Sequence, residues 1–227
     1  MKSILLGIVI IFLSLVTHCQ NGKDVSSSDL ASRNTSMSLA SEKGEKILTL
    51  AGGCFWCTEE VYERMKDVNR VISGYAGGDT KDPTYESVMT GETGHAESVQ
   101  IYYDPEKITL ESLLEVFFLA AHDPTQVNQQ GYDVGTQYRS IAFYRTPEEE
   151  KIIREYIQKL NESGKFDKPI ATQVEPFEAF YPAEDFHQNY YPRNPGNPYI
   201  QKVSRPIVEK FEELFPQLSD HFEEDKE

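Results

Sequence analysis

The chain has 227 residues, 39% of them hydrophobic and 11% aromatic, enough for one domain of ordinary size with a real core plus appendages. Its formal charge of −15 is wrong for a nucleic-acid surface, which needs a basic stripe, and the sequence offers none. With three cysteines, five histidines, no second Cys-x-x-Cys and no histidine pair at ligand spacing, a structural zinc site is a poor reading, and no metal is expected.

The chain opens with a basic start, Met1-Lys2-Ser3, and an apolar run over residues 4–16, the pattern of a secretory signal and too short for a comfortable membrane span. Leu15-Val16-Thr17-His18-Cys19 resembles a bacterial lipoprotein signal whose cysteine becomes the lipidated first residue, although His18 stands where a small residue is usual and Leu15 is one place early. A plain cleaved signal and an uncleaved anchor are the alternatives. All three put the folded part outside the cytoplasm, in the cell envelope, and lipidation of Cys19 accounts best for a third cysteine far from the other two. Residues 20–45 carry almost no apolar periodicity and read as a flexible tether. Residues 1–19 are thus signal, 46–215 the domain that carries the chemistry, and 216–227 an acidic, solvated tail.

Residues 46–51 read as a short buried strand and 55–66 as a helix, with Gly52-Gly53-Cys54 between them. Residues 68–75 read as a second strand, weakened at its end by Gly74, and 76–94 as a long polar loop of the kind that is functional or disordered. A third strand spans 96–103, stopped by Asp104-Pro105. Leu110, Leu113, Leu114, Phe117 and Phe118 then mark one face of a helix capped by Thr109. Residues 131–137 form a second polar loop, 138–144 a fourth strand, and Thr146-Pro147-Glu148-Glu149 a capping box that starts a helix to about Ser163. Another strand at 170–175 and a last amphipathic helix near 206–214 complete the chain. The order strand, helix, strand, strand, helix, strand predicts an α+β fold: a ferredoxin-like split β-α-β sheet core with additional helix and long coil wrapped around it.

The Cys54-Phe55-Trp56-Cys57 pair sits where a strand gives way to a helix. At a helix N-terminus the unpaired N–H groups and the macrodipole favour a thiolate, which brings a cysteine pKa from about 8.5 toward 3.5–7.5 and makes Cys54 a nucleophile. An inert buried cysteine, half of a zinc site and a lone structural disulfide are the bland readings, and redox or nucleophilic chemistry is ahead of all three.

Seven segments occur in one order: Gly52-Gly53-Cys54-Phe55-Trp56, Gly74-Tyr75-Ala76-Gly77-Gly78, Pro83-Thr84-Tyr85, Gly94-His95-Ala96-Glu97, His122-Asp123-Pro124-Thr125, Gly135-Thr136-Gln137-Tyr138-Arg139-Ser140 and Ala183-Glu184-Asp185-Phe186-His187-Gln188. Together they closely resemble the A-class peptide methionine sulfoxide reductases, over about residues 46–195. The resemblance implies that Cys54 attacks a sulfoxide sulfur, that the S epimer of methionine sulfoxide, free or in proteins, is the substrate, and that thioredoxin or a similar external dithiol regenerates the enzyme, with no bound cofactor. A sulfoxide is a poor electrophile until its oxygen is protonated or hydrogen-bonded. Glu97 is the matching acid, and Tyr85 and Tyr138 match the phenols that hydrogen-bond the developing oxyanion. Asp133 matches a residue that holds substrate through water or fixes its loop, although a turn-forming Asp between Gly131 and Gly135 is an equally good reading. Phe55 and Trp56 are expected to line a pocket for the S-methyl group, with Tyr190 beside them; His187 reads as structural.

Many family members carry resolving cysteines near the C-terminus, and this chain has none there. It has Cys57 where the family more often shows glycine, one helical turn from Cys54, and Cys57 is the expected resolving thiol; direct attack of a donor on the sulfenic acid is the rival. A general dithiol-disulfide oxidoreductase is the nearest alternative enzyme, and it needs no Glu97-Tyr85-Tyr138 set. A tethered methionine-binding module without turnover is the third. A monomer is expected, reaching a membrane only through the anchor at Cys19.

Overall fold

The computed structural model describes residues 39–220, so the expected signal segment, Cys19, most of the expected tether and the end of the expected acidic tail lie outside the described residues. In chain order the strands are β1 (Lys46–Gly52), β2 (Val68–Ala76), β3 (Ala96–Tyr103), β4 (Gln129–Gln130), β5 (Asp133–Val134), β6 (Ser140–Tyr144), β7 (Gln173–Pro176) and β8 (Phe180–Pro182). The helices are α1 (Phe55–Glu63), α2 (Tyr85–Met89), α3 (Leu110–Val116), α4 (Pro147–Glu162), α5 (Tyr190–Arg193) and α6 (Arg205–Leu214). Two π-turns add to them: Phe117–Ala121 extends α3, and Ile200–Ser204 leads into α6.

Six strands form one sheet in the order β7-β6-β1-β3-β2-β8, while β4 and β5 make a separate hairpin. Its four central strands are all antiparallel, and their order, last-first-third-second along the chain, is the split β-α-β arrangement the sequence predicts. β7 adds a parallel edge to β6, and β8 an antiparallel edge to β2.

Both faces of the sheet are covered, which is why all eight residues of β3 are buried. Leu48 and Leu50 of β1, with Val99 and Ile101 of β3, face the larger core made with α1, α3 and α6; Ala51, Ile72, Tyr102 and Phe143 face a smaller one closed by Phe180, Phe177 and Leu39. Thr109 caps α3 by accepting from the Ser112 N–H at 3.1 Å. Thr146 caps α4 through the Glu149 N–H, but the Glu149 carboxylate reaches past the cap to the Arg145 N–H at 2.7 Å, so the expected box closes one residue early. Within the long polar loop expected over 76–94 the chain inserts α2, closed by a box between Thr84 and Ser87, and the loop at 131–137 holds β5 and a 3-10 turn.

The boundary expected at residue 216 falls inside the packed part. The Lys66 N–H donates to the Leu218 carbonyl, Asp220 N–H to that of Arg64, and Ser219 is buried opposite Met65. Within α1, Glu59 is buried, and the Asn189 and Tyr190 N–H groups and the Ser73 hydroxyl lie beside its carboxyl without closing a proper hydrogen bond. Among the described residues no helix is long and apolar enough to cross a membrane.

Candidate active site

β1 runs directly into α1 through Gly52 and Gly53. Gly53 holds φ +94°, and a Cβ there would meet the Gln130 side chain at 2.5 Å, so only glycine lets the β4–β5 hairpin fold down over this junction. Cys54 is the N-cap of α1, with no capping hydrogen bond from its side chain, which leaves the sulfur free for other partners. It is 8% exposed, at the wall of a cavity of about 200 Å³ lined by Cys54, Phe55, Trp56, Tyr85, Glu97, Asp133, Tyr138 and Tyr199.

Seven of those eight are residues singled out in the sequence. Glu97 comes from β3, is buried, and accepts a 2.9 Å hydrogen bond from the Phe55 N–H, the first donor of α1. Burial above all, and next the neighbouring Cys54, push its carboxyl well above the usual carboxylate range; the Phe55 N–H pulls the other way and loses. Tyr85 begins α2 and is anchored by its N–H on Glu184 at 2.9 Å; burial and Glu97 push its phenol up to about 12. Tyr138 closes the 3-10 turn before β6, not the strand itself, and its hydroxyl rests on the Met89 sulfur at 3.3 Å. Both phenols are therefore neutral donors.

Phe55 and Trp56 form the apolar wall. The Trp56 indole N–H donates to His187 Nδ1 at 3.1 Å, and its ring stacks on Tyr190 with centroids 3.8 Å apart. Tyr190 thus stands behind Trp56, off the cavity wall, and its expected place beside the substrate becomes one of support. His187, lowered by burial, is neutral and holds the indole.

Tyr199 was not legible as a site residue. Its hydroxyl donates to Asp133 and contacts the Cys54 sulfur, and its ring meets Trp56 edge-on at 5.8 Å. Nothing local marks it, since its partners are far away in the chain. Asp133 is half-buried, raised by burial, and is brought to the cavity by the hairpin that covers Gly53.

The free thiol departs from what a helix N-terminus alone dictates. Burial, with Cys57 as the second cause, pushes Cys54 well above the ordinary thiol range, and the Tyr199 hydroxyl and Trp56 N–H do not offset it. In the reduced, unliganded protein Cys54 is therefore a neutral thiol beside a neutral carboxyl. Cys57 is 2% exposed, its N–H donates to the Cys54 carbonyl at 3.1 Å, and its thiol donates to Ser204 Oγ at 3.1 Å. Both cysteines are free. Behind the site the buried His122, lowered to about 4, donates from Nδ1 to the Phe117 carbonyl at 2.8 Å and accepts from the Ser140 hydroxyl at 2.7 Å, tying the end of the first π-turn to β6.

A buried thiol, a carboxyl kept protonated and three neutral phenols around one small chamber define a class, the thiol enzymes whose attack is assisted by an acid. The family model of peptide methionine sulfoxide reductase matches residues 46–218. The peptide methionine sulfoxide reductase MsrA of Natronomonas pharaonis is 49% identical over 172 residues, 76% of this chain and 96% of that protein, and that of Sulfolobus acidocaldarius 53% identical over 171 residues, 75% and 96%. Among solved structures, reduced Mxr1 from Saccharomyces cerevisiae superposes with a TM-score of 0.65 at 38% identity, covering 70% of this chain and 94% of that one. The chain belongs to the peptide methionine sulfoxide reductase family, in its A class, whose members are peptide-methionine (S)-S-oxide reductases.

Proposed function

We propose that this chain reduces the S epimer of methionine sulfoxide, free and in proteins, through a sulfenic acid on Cys54, and that Cys57 resolves it. The observation that carries the reading is Glu97, buried and protonated on the wall of the cavity that holds Cys54. Glu97 gives its proton to the sulfoxide oxygen as the Cys54 sulfur bonds to the sulfoxide sulfur, while Tyr85 and Tyr138 donate to the same oxygen. Collapse passes the oxygen to Cys54 as S–OH and releases methionine; the proton that left the Cys54 thiol restores Glu97. The substrate sulfur gains two electrons and Cys54 loses them. The S-methyl group fits between Phe55 and Trp56, where one buried carbon contributes about 0.8 kcal/mol.

Cys57 then attacks the Cys54 sulfenic acid, water leaves, and an external dithiol such as thioredoxin reduces the disulfide. The first turn of α1, which ties the Cys57 N–H to the Cys54 carbonyl at 3.1 Å, supports this route, and the convergence of Glu97, Tyr85 and Tyr138 favours sulfoxide reduction over general dithiol exchange. Mass spectrometry after one equivalent of a methyl sulfoxide is expected to find a Cys54–Cys57 disulfide; a lasting sulfenic acid with Cys57 still free excludes the intramolecular route. The basic start and apolar run before Cys19 support export to the cell envelope, with Cys19 lipidated. The intact mass of the mature N-terminus tests it.

A further inference from the structure

Ser204 is fully buried at the end of the π-turn Ile200–Ser204, and its hydroxyl accepts from the Cys57 thiol, 147 positions away in sequence, at 3.1 Å. A helical serine ordinarily bonds back to its own backbone or faces water. Here it is turned to a sulfur.

The turn itself explains how. Tyr199, which contacts the Cys54 sulfur, is the residue just before it. In an α-helix, at 3.6 residues per turn, positions 199 and 204 would point about 140° apart. The i→i+5 pattern of a π-turn brings residue 204 back over residue 199, and such turns gather at functional sites. One wide turn thereby aims two hydroxyls at two sulfurs.

We infer that Ser204 is a further catalytic residue, the hydrogen-bond donor to the Cys57 thiolate when the disulfide forms and when it is reopened. The inference rests on Cys57 being the resolving thiol. In the first step Cys57 gives up its proton and attacks Cys54–S–OH: an S–S bond forms, the S–O bond breaks, and the hydroxide leaves as water with that proton. Cys57 is oxidised and Cys54 reduced. In the second, the thiolate of an external dithiol attacks the sulfur of the more exposed residue, Cys54 at 8% against 2% for Cys57, so Cys57 leaves as a thiolate and the second thiol of the donor completes its oxidation. In both, a hydroxyl that accepted the hydrogen bond of the thiol rotates to donate to the thiolate, in a place where burial leaves little water to do so.

The test is a rapid-quench comparison of wild type, Ser204→Ala, Ser204→Thr and Cys57→Ser with one equivalent of N-acetylmethionine S-sulfoxide, reading methionine release, sulfenic acid trapped by dimedone and loss of free thiols from the same samples. Ser204→Ala is expected to slow disulfide formation relative to methionine release by about 10–100-fold, the worth of one hydrogen bond to a charged group, with sulfenic acid accumulating between the two. Methionine release in the same sample reports that the variant is folded. Ser204→Thr, which keeps the hydroxyl, is expected to restore the wild-type ratio. If Ser204→Ala forms the disulfide at the wild-type pace while Cys57→Ser forms none, the Ser204 inference fails alone. If Ser204→Thr is as slow as Ser204→Ala, the contact is packing and the inference fails as well. If Cys57→Ser turns over with an external dithiol as wild type does, the resolving role of Cys57 fails, and that of Ser204 with it.

Discussion

The two groups that react in the proposed mechanism, Cys54 and Glu97, share one problem: each is buried and raised by that burial, and Cys54 raises Glu97 further. Two neighbouring anions in so dry a place are disfavoured, so the resting protein keeps both protons, and in the proposed reaction the one on Glu97 is the one the sulfoxide oxygen takes. Activity should therefore fall as pH rises through the raised pKa of Glu97, because the acid is then lost. Glu97→Gln still donates a hydrogen bond but releases no proton; its loss is expected toward the lower end of roughly 10²–10⁴-fold in kcat, and its pH–rate profile should lose the limb that Glu97 causes. A kcat for Glu97→Ala near wild type would remove this residue from the acid role. At this scale the sequence carried identities well and environments poorly. Cys54, Tyr85, Glu97, Asp133 and Tyr138 could be picked out because their segments match a family pattern. The ionisation of Cys54 could not, because position at a helix start is local whereas the burial that outweighs it, with Cys57 as the second cause, is set by tertiary packing. Tyr199 escaped for a related reason, being one tyrosine in a run of Pro and Asn whose partners, Asp133 and Cys54, are distant in sequence.

Elements with their own signals were legible. β3 and α3 follow apolar spacing, and α4 has Thr146 and Pro147 at its start. Elements defined by partners were not: α2, the β4–β5 hairpin, β8 and the two π-turns are short, and tertiary contacts decide them. Gly74 shows the difference. In the sequence it weakens the end of a strand, yet in the sheet it is the place where β8 can lie against β2, since a Cβ there would meet Phe180 Cζ and the Tyr181 carbonyl oxygen at 2.4 Å each. Gly74→Ala is expected to cost roughly 1–3 kcal/mol, read as a lower denaturation midpoint. The segment after β8 carries Glu184 and His187, which hold Tyr85 and Trp56, so kcat/KM should fall with it. A variant as stable as wild type would show that β8 adapts.

For the molecule as a whole, Glu59 sets a pH dependence unrelated to catalysis. Burial pushes its carboxyl from the usual range up to about 8, so between those values the native state holds a proton that the unfolded chain has released. Stability contributed by this group is complete below the ordinary carboxylate pKa and is lost as pH rises toward 8. Glu59→Gln should flatten the decline of the melting temperature between pH 5 and 8 and leave the variant more stable than wild type at pH 8, by an amount on the order of a few kcal/mol. An unchanged slope would mean that the carboxyl finds solvation the fold does not display.

The chamber around Cys54, about 200 Å³ in volume, is on the scale of one side chain. Whatever polypeptide is repaired must extend its oxidised residue clear of its own surface before any sulfur can reach it. Damage in a tightly packed interior is then out of range until local opening exposes it, and the pace of mending such sites belongs to the breathing of the injured protein, with the enzyme waiting.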